Sequence, residues 1–257
     1  MISKKQHNLK NLKEKIKKSY EKVAQNNSNC SFGGKTCNNR VKVSGEIGYT
    51  KKELEELADA NLGLGCGNPI NLGEIKPGQT ILDLGSGGGL DCFLAAQKVG
   101  DQGIVIGVDM TPAMIEKATL NAVKYGYKNV EFRLGDIENL PVDSETIDII
   151  ISNCVLSLTT NKEAAFKQAY RVLKPGGLMY VSDIVLLKAL SEKQRTDNKM
   201  LGTCVLGALL KEDYIEKLIK VGFEIKILDE DLGVNEKKFD DPSLSISSLK
   251  YIAVKAN

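Results

Sequence analysis

The segment Thr80-Ile-Leu-Asp-Leu-Gly-Ser-Gly-Gly-Gly89 decides the fold. Its first five residues form a short apolar run with branched side chains, which is typical of a buried β-strand. Four of the next five residues are glycine, and glycine lets a backbone turn tightly and approach a ligand closely. A helix is predicted over residues 89–99, so the segment has the order strand, glycine loop, helix.

Strands and helices continue to alternate after this segment. Further strands are predicted at residues 103–108, 130–134, 146–152, 178–183, 223–228 and 248–255. Helices are predicted to begin at Pro112 and to cover residues 162–173 and 211–221. This alternation predicts a Rossmann-like α/β fold with a doubly wound, mostly parallel, seven-stranded sheet. Ligands of such sheets bind beyond the carboxyl ends of the strands.

Residues 1–60 are predicted to form an N-terminal extension. Its first helix has apolar residues at steps of three and four, a stripe that favours docking on a domain; they are Leu9, Leu12, Ile16, Tyr20 and Val23. The polar stretch from Gln25 to Gly48 is predicted to be a long loop. A Thr-x-x-Glu capping box at residues 50–53 predicts the start of a short helix.

The remainder of the chain divides into two predicted parts. Residues 61–183 are expected to be the ligand-binding domain with the glycine loop. Residues 184–210 interrupt the alternation and are predicted to form an insertion over the site. Residues 184–257 as a whole are therefore interpreted as a covering lid or insertion followed by strands that complete the sheet.

Charge is distributed unevenly along the chain. The first 22 residues carry eight lysines and two glutamates, whereas the whole chain has a net charge of only +2. The main domain is therefore mildly acidic, which argues against nucleic acid as a partner. No apolar run approaches the ~18 residues of a membrane span, and we expect no secretory signal at the N-terminus. We expect a cytoplasmic monomer with no membrane partner.

Six cysteines are present, at positions 30, 37, 66, 92, 154 and 204. In a reducing compartment thiols stay reduced, so thiol chemistry explains them better than disulfides do. No Cys-x-x-Cys pair occurs, and the single histidine, His7, lies in the basic N-terminal segment. A closed zinc site is therefore poorly supported, and no resident metal is expected.

Acidic residues lie at the ends of three successive predicted strands, at Asp83, Asp109 and Asp136. The dinucleotide-binding fingerprint G-x-G-x-x-G, begun at Gly85, needs glycine or alanine where Leu90 stands. The pattern D-x-G-x-G-x-G instead resembles motif I of the class I methyltransferases that depend on S-adenosylmethionine. An acidic residue at position 109 suits hydrogen bonds from both ribose hydroxyls.

The resemblance implies S-adenosylmethionine as cofactor and S-adenosylhomocysteine as its product. In this superfamily the position of Asp136 commonly recognises the adenine amino group. The cofactor-binding residues that the resemblance implies are Asp83, Gly85, Ser86, Gly87, Asp109, Met110, Asp136, Ile137 and Asn153.

The stretch from Tyr49 to about Phe223 resembles the microbial arsenite methyltransferases more specifically. The most specific motifs are Gly63-Leu-Gly-Cys-Gly-Asn-Pro69 and Ser152-Asn-Cys-Val155. Two positions depart from the family pattern, Ser157 in place of asparagine and Thr203 in place of a small residue, but neither removes a sulfur.

The resemblance implies that thiolates of Cys66, Cys154 and Cys204 hold trivalent arsenic. Trivalent arsenic is a soft, thiophilic centre, and soft centres select thiolates. The family also carries a cysteine in its N-terminal segment that captures or relays arsenic. Here Cys30 and Cys37 are both candidates for that role, and we include Cys30 among the predicted site residues.

The activity that the resemblance implies is methyl transfer to arsenite or its glutathione conjugate, a detoxification reaction. Methylation oxidises arsenic, so a thiol reductant such as glutathione or thioredoxin is implied as well. Two alternatives stay open: a methyltransferase of a small organic acceptor, and a non-catalytic thiol protein that binds As(III) or a heavy metal. An NAD-dependent oxidoreductase is disfavoured because Leu90 breaks the fingerprint.

Overall fold

The computed structural model describes residues 4–25, 31–32, 35–36, 40–197, 200 and 202–257. Within these ranges the helices are α1 (Lys4–Gln25), α2 (Arg40–Glu46), α3 (Lys51–Glu56), α4 (Leu90–Val99), α5 (Pro112–Tyr125), α6 (Lys162–Val172), α7 (Glu192–Thr196), α8 (Cys204–Gly207), α9 (Lys211–Val221) and α10 (Val234–Lys238). The strands are β1 (Ser31–Phe32), β2 (Lys35–Thr36), β3 (Thr80–Leu84), β4 (Ile104–Asp109), β5 (Val130–Leu134), β6 (Ile147–Asn153), β7 (Leu173–Leu186), β8 (Phe223–Asp231) and β9 (Ile246–Lys255). None of the helices described here combines the length and apolar content that a membrane crossing requires.

The main sheet confirms the predicted doubly wound fold. Its seven strands have the order β5-β4-β3-β6-β7-β9-β8, and β9 runs antiparallel to both of its neighbours. Strand β3 pairs in parallel with β4 on one side and β6 on the other. The strand order reverses at β3, which opens a crevice at the carboxyl ends of these strands.

Apolar side chains cover both faces of the sheet because successive residues of a strand point to opposite sides. In β6, Ile149 and Ile151 face the cluster that includes helix α4, while Ile150 faces the cluster with α6 and α9. Burial on both faces explains why β6 is an almost continuous run of isoleucines.

A third apolar cluster lies beyond the carboxyl end of β6 and around the last residues of β7. It joins the end of β7 at Leu186 to the start of β9 at Ile246, and Val205 of α8 and Val234 of α10 belong to it. Three cysteines are members of the same cluster. The C-terminal third of the chain therefore contributes both to the sheet and to the packing at the site end.

Helix α1 docks on the domain as its apolar stripe predicts. Ile16 and Val23 are buried, and α1 packs beside α5. The predicted capping box is confirmed: the Thr50 hydroxyl accepts the backbone N–H of Glu53 at 3.2 Å, and the Glu53 carboxylate accepts that of Thr50 at 2.7 Å.

The prediction of an uninterrupted loop from Gln25 to Gly48 is wrong, because Arg40–Glu46 forms helix α2. Seven residues are too few for an apolar period to stand out. The helix is held by a tertiary contact instead, in which the buried Ser44 hydroxyl donates to Asn61 Oδ1 at 2.8 Å.

Two boundaries near the insertion also differ from the prediction. Strand β7 begins at Leu173 and reaches Leu186, with an irregularity in its pairing between Ile147 and Ile149 of β6. It therefore runs across the proposed division at residues 183/184. The divisions at residues 60/61 and 183/184 remain predictions.

Helix α9 offers a matched test of this packing. Leu218 is fully buried, whereas its neighbour Ile219 is 57% exposed. Leu218→Ala is expected to lower the free energy of unfolding by about 2–5 kcal/mol, because it leaves a cavity between α9 and the sheet. Ile219→Ala should stay within about 0.5 kcal/mol of the parent. Urea unfolding followed by circular dichroism measures both, and equal losses would contradict the described packing.

Candidate active site

A cavity opens at the carboxyl ends of β3, β4 and β6. It encloses about 1100 Å³ when the open space at its mouth is counted, enough for a nucleoside-sized ligand. All nine residues predicted to bind the cofactor line it, namely Asp83, Gly85, Ser86, Gly87, Asp109, Met110, Asp136, Ile137 and Asn153. The structure thus brings together residues from four separate segments, and their roles remain predictions.

Asp109 is held by the backbone of two loops at the end of β4. Its carboxylate accepts the N–H of Gly87 at 3.1 Å and the N–H of Thr111 at 2.9 Å. Burial raises the pKa of Asp109, and these N–H donors oppose the rise. The carboxylate is therefore fixed in place on the cavity wall.

The carboxylate of Asp136 already has a partner. Lys13 of α1 forms an ion pair with Asp136 and a second one with Glu138, at 3.2 Å. Lys13 and Tyr20, both on α1, line the cavity. The N-terminal helix therefore crosses the side of the cavity where the resemblance places the adenine base.

Tyr49, Asp91 and Asn153 form a hydrogen-bond network on the other side of the cavity. The Tyr49 hydroxyl donates to Asp91 Oδ1 at 2.6 Å, and Asn153 Nδ2 donates to the Tyr49 hydroxyl oxygen at 2.8 Å. Burial raises the pKa of Asp91 to about 6, although the tyrosine and the amide favour its ionised form. Asn153 belongs to the predicted site, whereas Tyr49 and Asp91 were not predicted, although both stand within or beside the motifs that carry the resemblance.

The cavity has the features that S-adenosylmethionine requires. Burial raises the pKa of Asp83, of Asp91 and of Asp109, so a cationic ligand such as a sulfonium would favour their ionised forms. The Ser86 hydroxyl is buried and has no hydrogen-bond partner among the described residues. A ligand with hydroxyl or amino groups could complete that hydrogen bond.

Cys66, Cys154 and Cys204 meet behind this cavity. They come from the loop before the sheet, from the end of β6 and from the first turn of α8, and they are 1%, 5% and 6% exposed. All three side chains belong to one buried cluster, in which Cys66 and Cys204 both lie close to Cys154. Cys154 also lines the cofactor cavity, so the cysteine cluster and the cavity share one wall.

The backbone of Cys154 is left-handed, with φ of 61°. Residues other than glycine avoid this region, and those that adopt it concentrate at functional sites. The Cys154 N–H donates to the carbonyl oxygen of Ser182 at 2.8 Å, and Cys66 Sγ lies 3.4 Å from the same oxygen. This one carbonyl of β7 therefore contacts two of the three cysteines.

The cluster concentrates thiolate charge on one sulfur. The neighbouring thiols of Cys204 and Cys66, together with the charge of Lys238, hold the pKa of Cys154 well below its ordinary value. Burial raises the pKa of Cys66, and the neighbouring Cys154 raises that of Cys204. The lowered pKa of Cys154 favours its thiolate, and the thiolate is the form that binds soft centres.

Two glycines let the loop of Cys66 lie against the sheet. A Cβ on Gly65 would come within 2.6 Å of Asn153 Nδ2, and one on Gly67 within 2.4 Å of Ser182 Oγ. The Cys66 N–H donates to Asn153 Oδ1 at 2.9 Å, and Ser248 donates to the Cys66 carbonyl at 2.7 Å. The backbone of this glycine-rich loop is therefore held at Cys66 from two strands, β6 and β9.

The remaining cysteines lie elsewhere. Cys30 and Cys37 fall outside the described residues, so the predicted N-terminal thiol stays a prediction. Cys92 on α4 is buried, and its thiol donates to Asp83 Oδ2 at 3.2 Å. Lys13 and Lys238 were not predicted near the site, because no motif distinguishes them from the other lysines.

Asn153→Ala tests whether this side chain holds the Cys66 loop. The loss of its hydrogen bonds to Cys66 and Gly67 is expected to destabilise the loop, with alkylation of Cys66 by iodoacetamide about tenfold faster. The rate is measured on the Cys66 peptide by mass spectrometry. Asn129→Ala is the control, since Asn129 donates to the Gly100 carbonyl at 3.0 Å. An equal effect of both variants would contradict this assignment.

Asp91 should also make stability depend on pH. Because burial raises its pKa to about 6, the folded protein binds a proton there that the unfolded chain releases near pH 4. The free energy of unfolding is therefore expected to fall as pH rises from about 4 to about 6, and Asp91→Asn should reduce that fall. Urea unfolding across this range measures the slope, and identical slopes in the two proteins would contradict the shift.

Comparison with known proteins agrees with the site. The family described as "Methyltransferase domain" matches residues 75–224. An arsenite methyltransferase of Halobacterium salinarum is 44% identical over 223 residues, covering 82% of this chain and 57% of that protein. One from Aquipseudomonas alcaligenes is 34% identical, covering 86% of this chain and 65% of that protein. The chain thus spans less than two thirds of the length of these relatives.

A solved structure extends the similarity to three dimensions. The arsenic(III) S-adenosylmethionine methyltransferase of Chlamydomonas reinhardtii superposes with a TM-score of 0.63 at 31% identity, covering 85% of this chain and 73% of that one. Together with the matched methyltransferase domain, this similarity shows that the chain belongs to the S-adenosylmethionine-dependent arsenite methyltransferase family.

Proposed function

We propose that this protein transfers a methyl group from S-adenosylmethionine to trivalent arsenic held by Cys66, Cys154 and Cys204. The observation that carries the proposal is the convergence of three cysteines from distant segments on one buried point. Cys154 belongs both to this cluster and to the cavity that fits the cofactor. The names of the relatives support arsenic as the acceptor.

The cysteines would capture arsenite by ligand exchange. Each As–S bond that forms displaces one hydroxide of arsenite, which leaves as water; the thiols of Cys66 and Cys204 supply the proton for their own steps, and solvent supplies it where the Cys154 thiolate attacks. The Cys154 thiolate is the group that attacks first, since the thiolate rather than the thiol is the nucleophile. Cys66 and Cys204 lie in the same buried cluster as Cys154, so their sulfurs can complete the site.

The bound cofactor would supply its methyl group to the arsenic lone pair and leave as S-adenosylhomocysteine. The residues of the chain hold the two reactants and exclude water, which is a contribution of positioning. Asp109 and the network of Tyr49, Asp91 and Asn153 would hold the cofactor from two sides. No general base is required because arsenic loses no proton when it forms the new bond.

Turnover requires a reductant and a reducing compartment. Transfer of a methyl cation raises arsenic from the trivalent to the pentavalent state, so two electrons must be returned by thiols. Glutathione or thioredoxin has the required chemistry, and arsenite would arrive free or as its glutathione conjugate. Cys30 or Cys37 would deliver arsenic to the buried cysteines. The cytoplasm is the compartment that suits these thiols.

Methyl transfer is tested with radiolabelled S-adenosylmethionine, arsenite and glutathione, followed by chromatography of the arsenic species. Label is expected on methylated arsenic with the parent protein. Cys154→Ser is expected to lower the rate by at least roughly 100-fold, because a hydroxyl is a hard and poorly nucleophilic ligand. Cys92→Ser is the control, since serine keeps a donor to Asp83, and it should stay within about threefold.

Three other outcomes would contradict the proposal in different ways. Full activity of Cys154→Ser would refute the thiolate site. Cofactor binding without label on arsenic would point to a small organic acceptor. Tight arsenite binding that needs no cofactor and gives no product would indicate a thiol protein without catalysis.

A further inference from the structure

Helix α10 carries a lysine to the cysteine cluster. The helix lies in the connection between β8 and β9, and Val234 at its start is buried in the same cluster as the three cysteines. Lys238 at its end donates from Nζ to the carbonyl oxygen of Leu64 at 2.5 Å. Leu64 stands two residues before Cys66, so this hydrogen bond joins α10 to the loop that carries the thiol.

The charge of Lys238 acts on all three sulfurs. It lowers the pKa of Cys66, of Cys154 and of Cys204, although larger causes oppose it at Cys66 and Cys204. Burial lowers the pKa of Lys238 itself, while the three cysteines and Asp183 raise it. The net direction for Lys238 is upward, so the ammonium form is retained beside the sulfurs.

Lys238 and its neighbour Lys237 differ in the partners of their ammonium groups. Lys237 pairs with Asp231, with Nζ 2.7 Å from Oδ2. Within the described part of the chain, Lys238 forms no ion pair with a carboxylate, and its hydrogen bond is to a neutral carbonyl. Lys238 also lies close enough to the cysteine cluster for its charge to lower the pKa of Cys154, so the ammonium group and a Cys154 thiolate favour each other.

We propose that Lys238 is a positioning residue of the cysteine site, whose ammonium group balances the thiolate charge of the unloaded site and holds the Cys66 loop beside it. The part of this inference that concerns arsenic rests on the proposed function. Lys238 contacts no reacting atom, and it acts through the cysteines. We therefore expect the charge of Lys238 to make Cys154 react faster with thiol-reactive reagents, because the thiolate is the reactive form.

The test measures two rates at pH 7 in Lys238→Met. The first is alkylation of the Cys154 peptide by iodoacetamide, followed by mass spectrometry, and the second is association of inorganic arsenite. Both rates are expected to fall by about tenfold, the effect of losing one nearby charge. Lys238→Arg keeps a positive charge and should restore both to within about threefold.

Lys237→Met is the matched control on the same helix, and both of its rates should equal those of the parent protein. Calorimetric binding of S-adenosylhomocysteine to each variant confirms that the fold is intact. A parent-like alkylation rate in Lys238→Met, or failure of Lys238→Arg to restore it, would overturn the inference. If the parent protein bound no arsenite, the proposed function would fall, and the alkylation rates would still decide the role of Lys238.

Discussion

The side-chain amide of Asn153 connects the two halves of the site. Its oxygen accepts the Cys66 N–H, and its nitrogen donates to the Tyr49 hydroxyl and to the Gly67 carbonyl. Asn153 is the last residue of β6, so all of these hydrogen bonds are anchored on a strand of the sheet. The loop with the first cysteine and the network with Asp91 therefore keep a fixed position relative to each other, as a transfer between two bound reactants requires.

The fold and the cofactor cavity could be predicted from sequence because both depend on local patterns. The middle of β6, Ile149 to Ile151, is apolar because parallel strands are buried on both faces. Once the strand order is fixed, the residues that follow each strand must meet at one edge of the sheet. Asp83, Asp109 and Asp136 were grouped on that basis, and all three line the cavity.

Contacts between distant segments could not be predicted in the same way. No spacing in the chain indicates that Cys204 meets Cys66, and their association was expected only from resemblance. Helix α2 depends on the contact of Ser44 with Asn61, and Lys238 reaches the loop of Cys66 across 174 positions. The ion pair of Lys13 with Asp136 is equally non-local. Each of these contacts is a product of tertiary packing and leaves no local pattern.

The left-handed backbone at Cys154 has a consequence for engineering. Glycine would adopt positive φ at this position without steric cost, although it would also leave a cavity where the Cys154 side chain packs in the apolar cluster. That exchange would remove the one sulfur that both the cavity and the cysteine cluster share. Relief of backbone strain and retention of the shared sulfur therefore oppose each other at this single residue.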